Sequence, residues 1–110
     1  MMLLTKELLN RFKEVGSQEN VADPIVIAKF FNPAGAGTWF ATEYDPDNRM
    51  FFGYASIFGD HNDEWGSFSL DEFESLKLPP FGLGIERDRY FEEVPASEVI
   101  ARYTKIDPSL

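Results

Sequence analysis

From Ile25 to Leu70 the chain alternates strand-type runs with turn signals of hairpin length, and this alternation constrains the fold more than any other feature of its 110 residues. "IVIAKFF" (25–31), "TWFATEY" (38–44), "RMFFGYASIF" (49–58) and the shorter "GSFSL" (66–70) are rich in β-branched and aromatic residues. Between them stand "NPAGAG" (32–37), "DPDN" (45–48) and the loop "GDHNDEW" (59–65). Connections this short join antiparallel neighbours, because a parallel crossover needs about a dozen residues or more. The expectation is a four-stranded antiparallel meander. Gly53, inside the third run, marks a bulge or a close backbone approach. Simple alternation puts Trp39, Ala41 and Glu43 on one side of the second strand and Phe40, Thr42 and Tyr44 on the other. Neither side is cleanly polar, so both faces of the sheet are expected to be partly covered.

Helical patterns flank the meander. Leu4, Leu8, Phe12 and Val15 form one stripe at helical spacing, with Thr5 as N-cap and Gly16 as the stop. After the fourth strand, "SLDEFESLKL" (69–78) carries the capping-box pattern, Ser69 followed three residues on by Glu72. The last pattern, "PASEVIARYTKI", reads as a short helix starting near Pro95 or Ser97. The fold class expected is α+β in a single domain over residues 1–110. The N-terminal helix packs on one face of the sheet, and the 69–78 helix and C-terminal segment cover an edge or the other face.

Composition narrows the chemistry. The absence of cysteine excludes disulfides, thiolate zinc sites and a cysteine nucleophile. No run approaches the roughly 18 apolar residues of a membrane span, and no secretory leader pattern is visible, so a soluble cytoplasmic protein is expected. The net charge of −9 disfavours direct binding to nucleic-acid phosphates. That charge is concentrated. Residues 1–29 are balanced, whereas Met50 to Leu76 contains no Lys or Arg and carries Asp60, Asp63, Glu64, Asp71, Glu72 and Glu74. These six are the candidate acidic surface for docking a basic protein partner.

No catalytic constellation stands out. His61 is the single histidine, so a serine hydrolase would have to use it as its base, and no G-x-S-x-G occurs. "NPAGAGTW" lacks both the P-loop lysine and the third dinucleotide glycine, and it lies between strands. Asp60, Asn62 and Glu64 mimic the first ligand positions of a calcium loop, with Asp71 at the last. Trp65 stands where the sharp-turn glycine belongs, however, and the last ligand is normally Glu. The expectation is a solvated hairpin loop, with no metal and no cofactor.

"IERDRYFEEV" (85–94) sets Ile85, Arg87, Arg89 and Phe91 on one side of an extended strand. Two guanidinium groups on one face suit carboxylate pairing. The structural reading is a latch between Arg87 and Arg89 and the acidic segment 60–74. The alternative is a clamp for an external anion, in a small-ligand binder or an enzyme that uses Glu64 or His61 as acid or base.

Three strings occur together in order: "AGAGTWFATEYDPDN", "EWGSFSLDEFESL" and "GLGIERDRYF". Across about residues 25–91 the chain resembles the DUF2958 family, small bacterial proteins often carried on plasmids, phages and other mobile elements. The resemblance rests on Glu64, Gly66, Ser69, Leu70 and Glu72, then on Gly82, Leu83, Glu86, Arg87, Asp88 and Phe91. It implies a bacterial or phage setting and an accessory role, and it supplies no catalytic residues. Together these features favour a non-catalytic interaction protein of a mobile element, with the anion-clamp reading as the alternative.

Overall fold

In a computed structural model the structure describes residues 2–57, 64–77 and 82–103. Helix α1 (Lys6–Val15) begins at Thr5, whose Oγ1 accepts the Leu8 N–H at 3.1 Å. It ends at Gly16, which has φ 66° and donates its N–H to the Phe12 carbonyl. Strands follow at β1 (Ile25–Val26), β2 (Ala28–Phe31), β3 (Thr38–Asp45), β4 (Met50–Ser56) and β5 (Glu64–Ser69). Helix α2 (Leu70–Ser75), strands β6 (Glu86–Arg87) and β7 (Val94–Pro95), and helix α3 (Ala96–Tyr103) complete the chain. The class is α+β, as expected.

The main sheet has five antiparallel strands in the order β5-β4-β3-β2-β6, and β1 pairs with β7 in a separate two-stranded ribbon. The fifth strand is β6, whose two residues face Phe30 and Phe31 of β2. The 25–31 run is divided at Ile27, whose N–H donates to the Ala41 carbonyl at 2.8 Å. Glu64 and Trp65, read from the sequence as loop, belong to β5, where they pair with Ala55 and Tyr54. Helix α2 is shorter than the 69–78 expectation, although Ser69 caps it as foreseen by accepting the Glu72 N–H.

One irregularity changes which side chains share a face. Ala41 faces Gly53 across β4, but the next pairing is Glu43 with Phe52, so Thr42 is an extra residue in β3. This β-bulge shifts the alternation by one step. Tyr44 therefore joins Trp39 and Ala41 against the first core, and Glu43 moves to the side of Phe40 and Thr42. That reverses the expectation for both Glu43 and Tyr44. Gly53 is the close-approach point, and a Cβ there would run into the Phe40 carbonyl; the bulge itself lies in the partner strand.

The sheet is covered on both sides, as its mixed faces required. On the first side Phe12 of α1 and Leu70 and Phe73 of α2 pack over Phe30, Phe51 and Phe68. Phe51 is the hub, with ring centroids 4.8 Å from Tyr44, 5.0 Å from Phe30, 5.5 Å from Phe68 and 5.8 Å from Phe12. On the second side the β1–β7 ribbon and α3 bury Val26, Phe40, Tyr54, Ala96 and Val99. Asp23 holds α3 at its start, taking the Ser97 N–H at 2.9 Å and the Ser97 hydroxyl at 2.6 Å. Arg11 ties α1 to the chain before β7 with two parallel bonds of 2.8 Å to the Glu93 carboxylate.

Candidate docking groove

The acids singled out in the sequence separate in space. Asp60 and Asp63, with His61, lie outside the described residues. Glu64 opens β5, whereas Asp71, Glu72 and Glu74 sit in α2 beyond its other end. Six residues of strand put those ends roughly 17 Å apart. Two of the α2 acids are also engaged. Arg49 donates from Nε to Asp71 and from Nη2 to Glu74, each at 2.6 Å. The Asp71 hydrogen bond is the main reason the Arg49 guanidinium is held above its ordinary pKa. Arg49 reaches them from the β3–β4 turn, where it has φ 53°. Glu64 and Glu72 remain exposed, without an ion pair among the described residues.

The arginines of "IERDRYFEEV" do not share a long strand. Only Glu86–Arg87 is extended. Asp88 then turns the chain, its carboxylate accepting the Tyr90 N–H at 2.9 Å and its carbonyl the Phe91 N–H at 3.3 Å. Ile85 consequently packs in the first core, while Phe91 packs against the second. Arg87 donates from Nε to the Met2 carbonyl at 3.3 Å, and Arg89 is exposed. Both line an open cleft of about 410 Å³ together with Arg11. Glu7, Asp88 and Glu93 line it too, so three cations meet three carboxylates. Arg11 is spent on Glu93, and Asp88 lies 3.7 Å from Lys29. Such a balanced cleft has little net field to hold an anion.

The larger cleft lies on the second side of the sheet, where the bulge has placed Glu43. Helix α3 has only eight residues, about 12 Å of cover. It and the β1–β7 ribbon shelter Phe40 and Tyr54 but stop short of Phe52 and Trp65. Those two rings lie 6.1 Å apart and nearly parallel, each 39% exposed, and Tyr54 meets Trp65 edge-on at 5.7 Å. With the segment that carries Glu19, Val21 and Pro24 they bound an open groove of about 550 Å³. Among the described residues its charged lining consists of Glu19 and Glu43, with no Lys or Arg.

The wall of this groove is held by a buried side chain. Gln18 donates from Nε2 to the carbonyls of Ile25 and Thr42, at 2.9 and 2.8 Å, and its Oε1 accepts the Ile25 N–H at 2.7 Å. Thr42 adds its own hydroxyl bond to the Phe52 carbonyl at 3.2 Å. The Thr42 carbonyl at the bulge and the Phe52 carbonyl beside it thus each receive a side-chain donor, as buried backbone acceptors require. Sequence reasoning missed Glu19, Glu43, Phe52 and Trp65 as a group. The available signal was the pair of large aromatics in neighbouring strands, beside a polar segment rich in turn formers.

Such a surface can bind and orient. Its chemistry is π-faces, apolar contact and two carboxylates, and among the described residues no His, Cys, Asp and Glu cluster could hold a metal. No helix there is long and apolar enough to cross a membrane. No match was found among curated proteins or among solved structures. A family model does match: DUF2958, described as a protein of unknown function, covers residues 3–107. The chain therefore belongs to the DUF2958 family.

Proposed function

We propose that this protein is a non-catalytic interaction protein that docks a basic protein partner through its acidic surface. The observation that carries the reading is the distribution of ion pairs. Arg11, Lys29, Arg49 and Arg102 each pair with a carboxylate of the same chain. Glu19, Glu43, Glu64 and Glu72 take part in no ion pair among the described residues, in a chain of net charge −9. Lys6, Lys13, Lys77 and Arg89 likewise take part in no ion pair among the described residues, but 19 acids against 10 cations leave an outward field that is negative, which draws a basic surface in and repels nucleic-acid phosphates. In this reading the protein works in the cytoplasm as an accessory of a bacterial or phage mobile element, the setting that the family resemblance implies.

The test is affinity capture from a bacterial lysate with the wild-type chain and with Glu64→Lys/Glu72→Lys. The expected outcome is a basic partner that the wild type retains at low salt and releases at high salt, and that the charge-reversed variant retains markedly less. Equal retention by both proteins, or a partner that is itself acidic, contradicts the reading.

A further inference from the structure

We infer that the groove floored by Phe52 and Trp65 is the contact core for one kind of occupant, a short extended segment of a partner in which Arg or Lys alternates with apolar residues. The inference rests on the interaction reading above and goes beyond it by naming the site and the chemistry recognised.

The geometry sets the size of the occupant. Trp65, Phe52 and Glu43 come from three adjacent strands, β5, β4 and β3, so the groove runs across the sheet. Strands lie about 4.8 Å apart, which makes the floor roughly 10 Å long, or about three residues of extended chain. Each part of that floor offers a different contact. The exposed parts of Trp65 and of the nearly parallel Phe52 ring offer aromatic surface to a guanidinium or ammonium group. Glu43, beside Phe52 in the register, is partly buried, and its carboxylate makes no hydrogen bond or ion pair among the described residues. A carboxylate at the edge of a low-dielectric aromatic floor binds a cation more strongly than one in open water. Val21 and Pro24 on the opposite wall, with Val21 49% exposed, supply apolar contact for the neighbouring side chain.

Charge complementarity decides among occupants. Among the described residues the lining carries Glu19 and Glu43 and no cation, so an acidic segment or a nucleic-acid strand would bring like charges together. A second copy of this chain, at net charge −9, meets the same repulsion. A purely apolar segment would leave Glu43 desolvated and unpaired, which is costly. A segment with a cation between apolar neighbours satisfies both the aromatic surface and the carboxylate.

The experiment measures binding of a short fluorescein-labelled peptide of alternating Arg and Val by anisotropy. The same peptide with Glu in place of Arg is the control. The full chain is compared with Trp65→Ala, Glu43→Gln, Glu43→Lys and Glu64→Lys/Glu72→Lys, each first checked for native circular dichroism. Glu43→Gln is close in size to the native side chain, so it reads the carboxylate even if Trp65→Ala fails to fold. The expected result is that the Arg peptide binds, that Trp65→Ala and Glu43→Lys weaken it by at least about tenfold, and that Glu64→Lys/Glu72→Lys weakens it by a smaller factor. Undiminished binding to the groove variants with loss in Glu64→Lys/Glu72→Lys overturns the groove but leaves the acidic-surface reading standing. Equal binding of the Glu peptide overturns the cationic chemistry, and no binding of the Arg peptide to the wild type overturns the groove inference, the acidic-surface reading being judged by the lysate capture.

Discussion

The side-chain amide of Gln18 donates to the carbonyl of Thr42 across 2.8 Å, joining the segment after α1 to the bulge in β3. Gln18 is 6% exposed and Thr42 1%, so neither group has water as an alternative partner. With its two bonds to Ile25, the amide also fixes the entry to β1. Gln18→Ala would leave the Thr42 carbonyl and both Ile25 backbone groups short of a partner. The expected cost is about 1–3 kcal/mol, read as a lower urea midpoint at unchanged slope. Gln18→Glu keeps the acceptor but loses both donors, and is expected to be at least as damaging.

Two glycines paired across β4 and β5 are expected to respond in opposite ways. At Gly53 an added Cβ meets the backbone of Phe40, which belongs to a central strand and cannot move aside cheaply. Gly53→Ala should destabilise the fold by about 1–3 kcal/mol or more. Gly66 stands opposite in the register, has open space around it and lies in the edge strand. Gly66→Ala should be neutral or should stabilise by about 0.4–1 kcal/mol, through the entropy of the unfolded chain. Chemical denaturation of the two variants side by side checks both signs.

Phe51 and Phe52 are neighbours with different duties. Phe51 is fully buried among four aromatic rings, and Phe51→Ala should cost about 3–5 kcal/mol. Phe52 is 39% exposed, and its ring contact is with Trp65. Phe52→Ala should cost about 1 kcal/mol or less while weakening the Arg-peptide complex. Thermal melts and peptide binding on the same two proteins separate the core role of Phe51 from the docking role proposed for Phe52.

Stability should fall on acidification for two identifiable reasons. The Ser97 hydroxyl and N–H hold the Asp23 carboxyl below its ordinary pKa, and the Asn48 side chain does the same for Asp45. A carboxyl depressed in the folded state contributes its full share above the unfolded value, about 3.9, and loses it as pH falls through the folded value. The melting temperature is therefore expected to be level with respect to these groups above about pH 5 and to decline below about pH 4. Asp23→Ala should melt lower at neutral pH and show a shallower decline, because one of the two contributions is already gone.

What could be read along the chain was local. Thr5, Gly16 and Ser69 marked helix ends correctly because a cap is satisfied within three or four residues of itself. The turns at 32–37 and 45–48 separated strands as their residues indicated. The errors came from contacts distant in sequence. No property of Thr42 announces a bulge, which arises from its pairing with β4, and that one extra residue exchanged the faces of Glu43 and Tyr44. Gln18 stands in a polar stretch, "GSQENVADP", where burial of an amide depends on a carbonyl 24 residues away. Arg87 and Arg89 drew notice by alternating with acids, yet the turn at Asp88 ends the strand between them. The acidic run was conspicuous as composition, but Arg49, the counterion for Asp71 and Glu74, lies 22 residues before the first of them.

The central claim is that the Thr42 bulge sets Glu43 beside Phe52 and Trp65 to receive a basic segment. Nitrogen–proton correlation spectra of the unmodified chain, recorded during titration with the Arg–Val peptide, test it most directly. The account predicts that the Trp65 indole N–H and the Glu43 amide shift together and saturably, while the Trp39 indole stays in place. Shifts confined to the amides of Asp71 to Ser75, with the Trp65 indole unmoved, would contradict it.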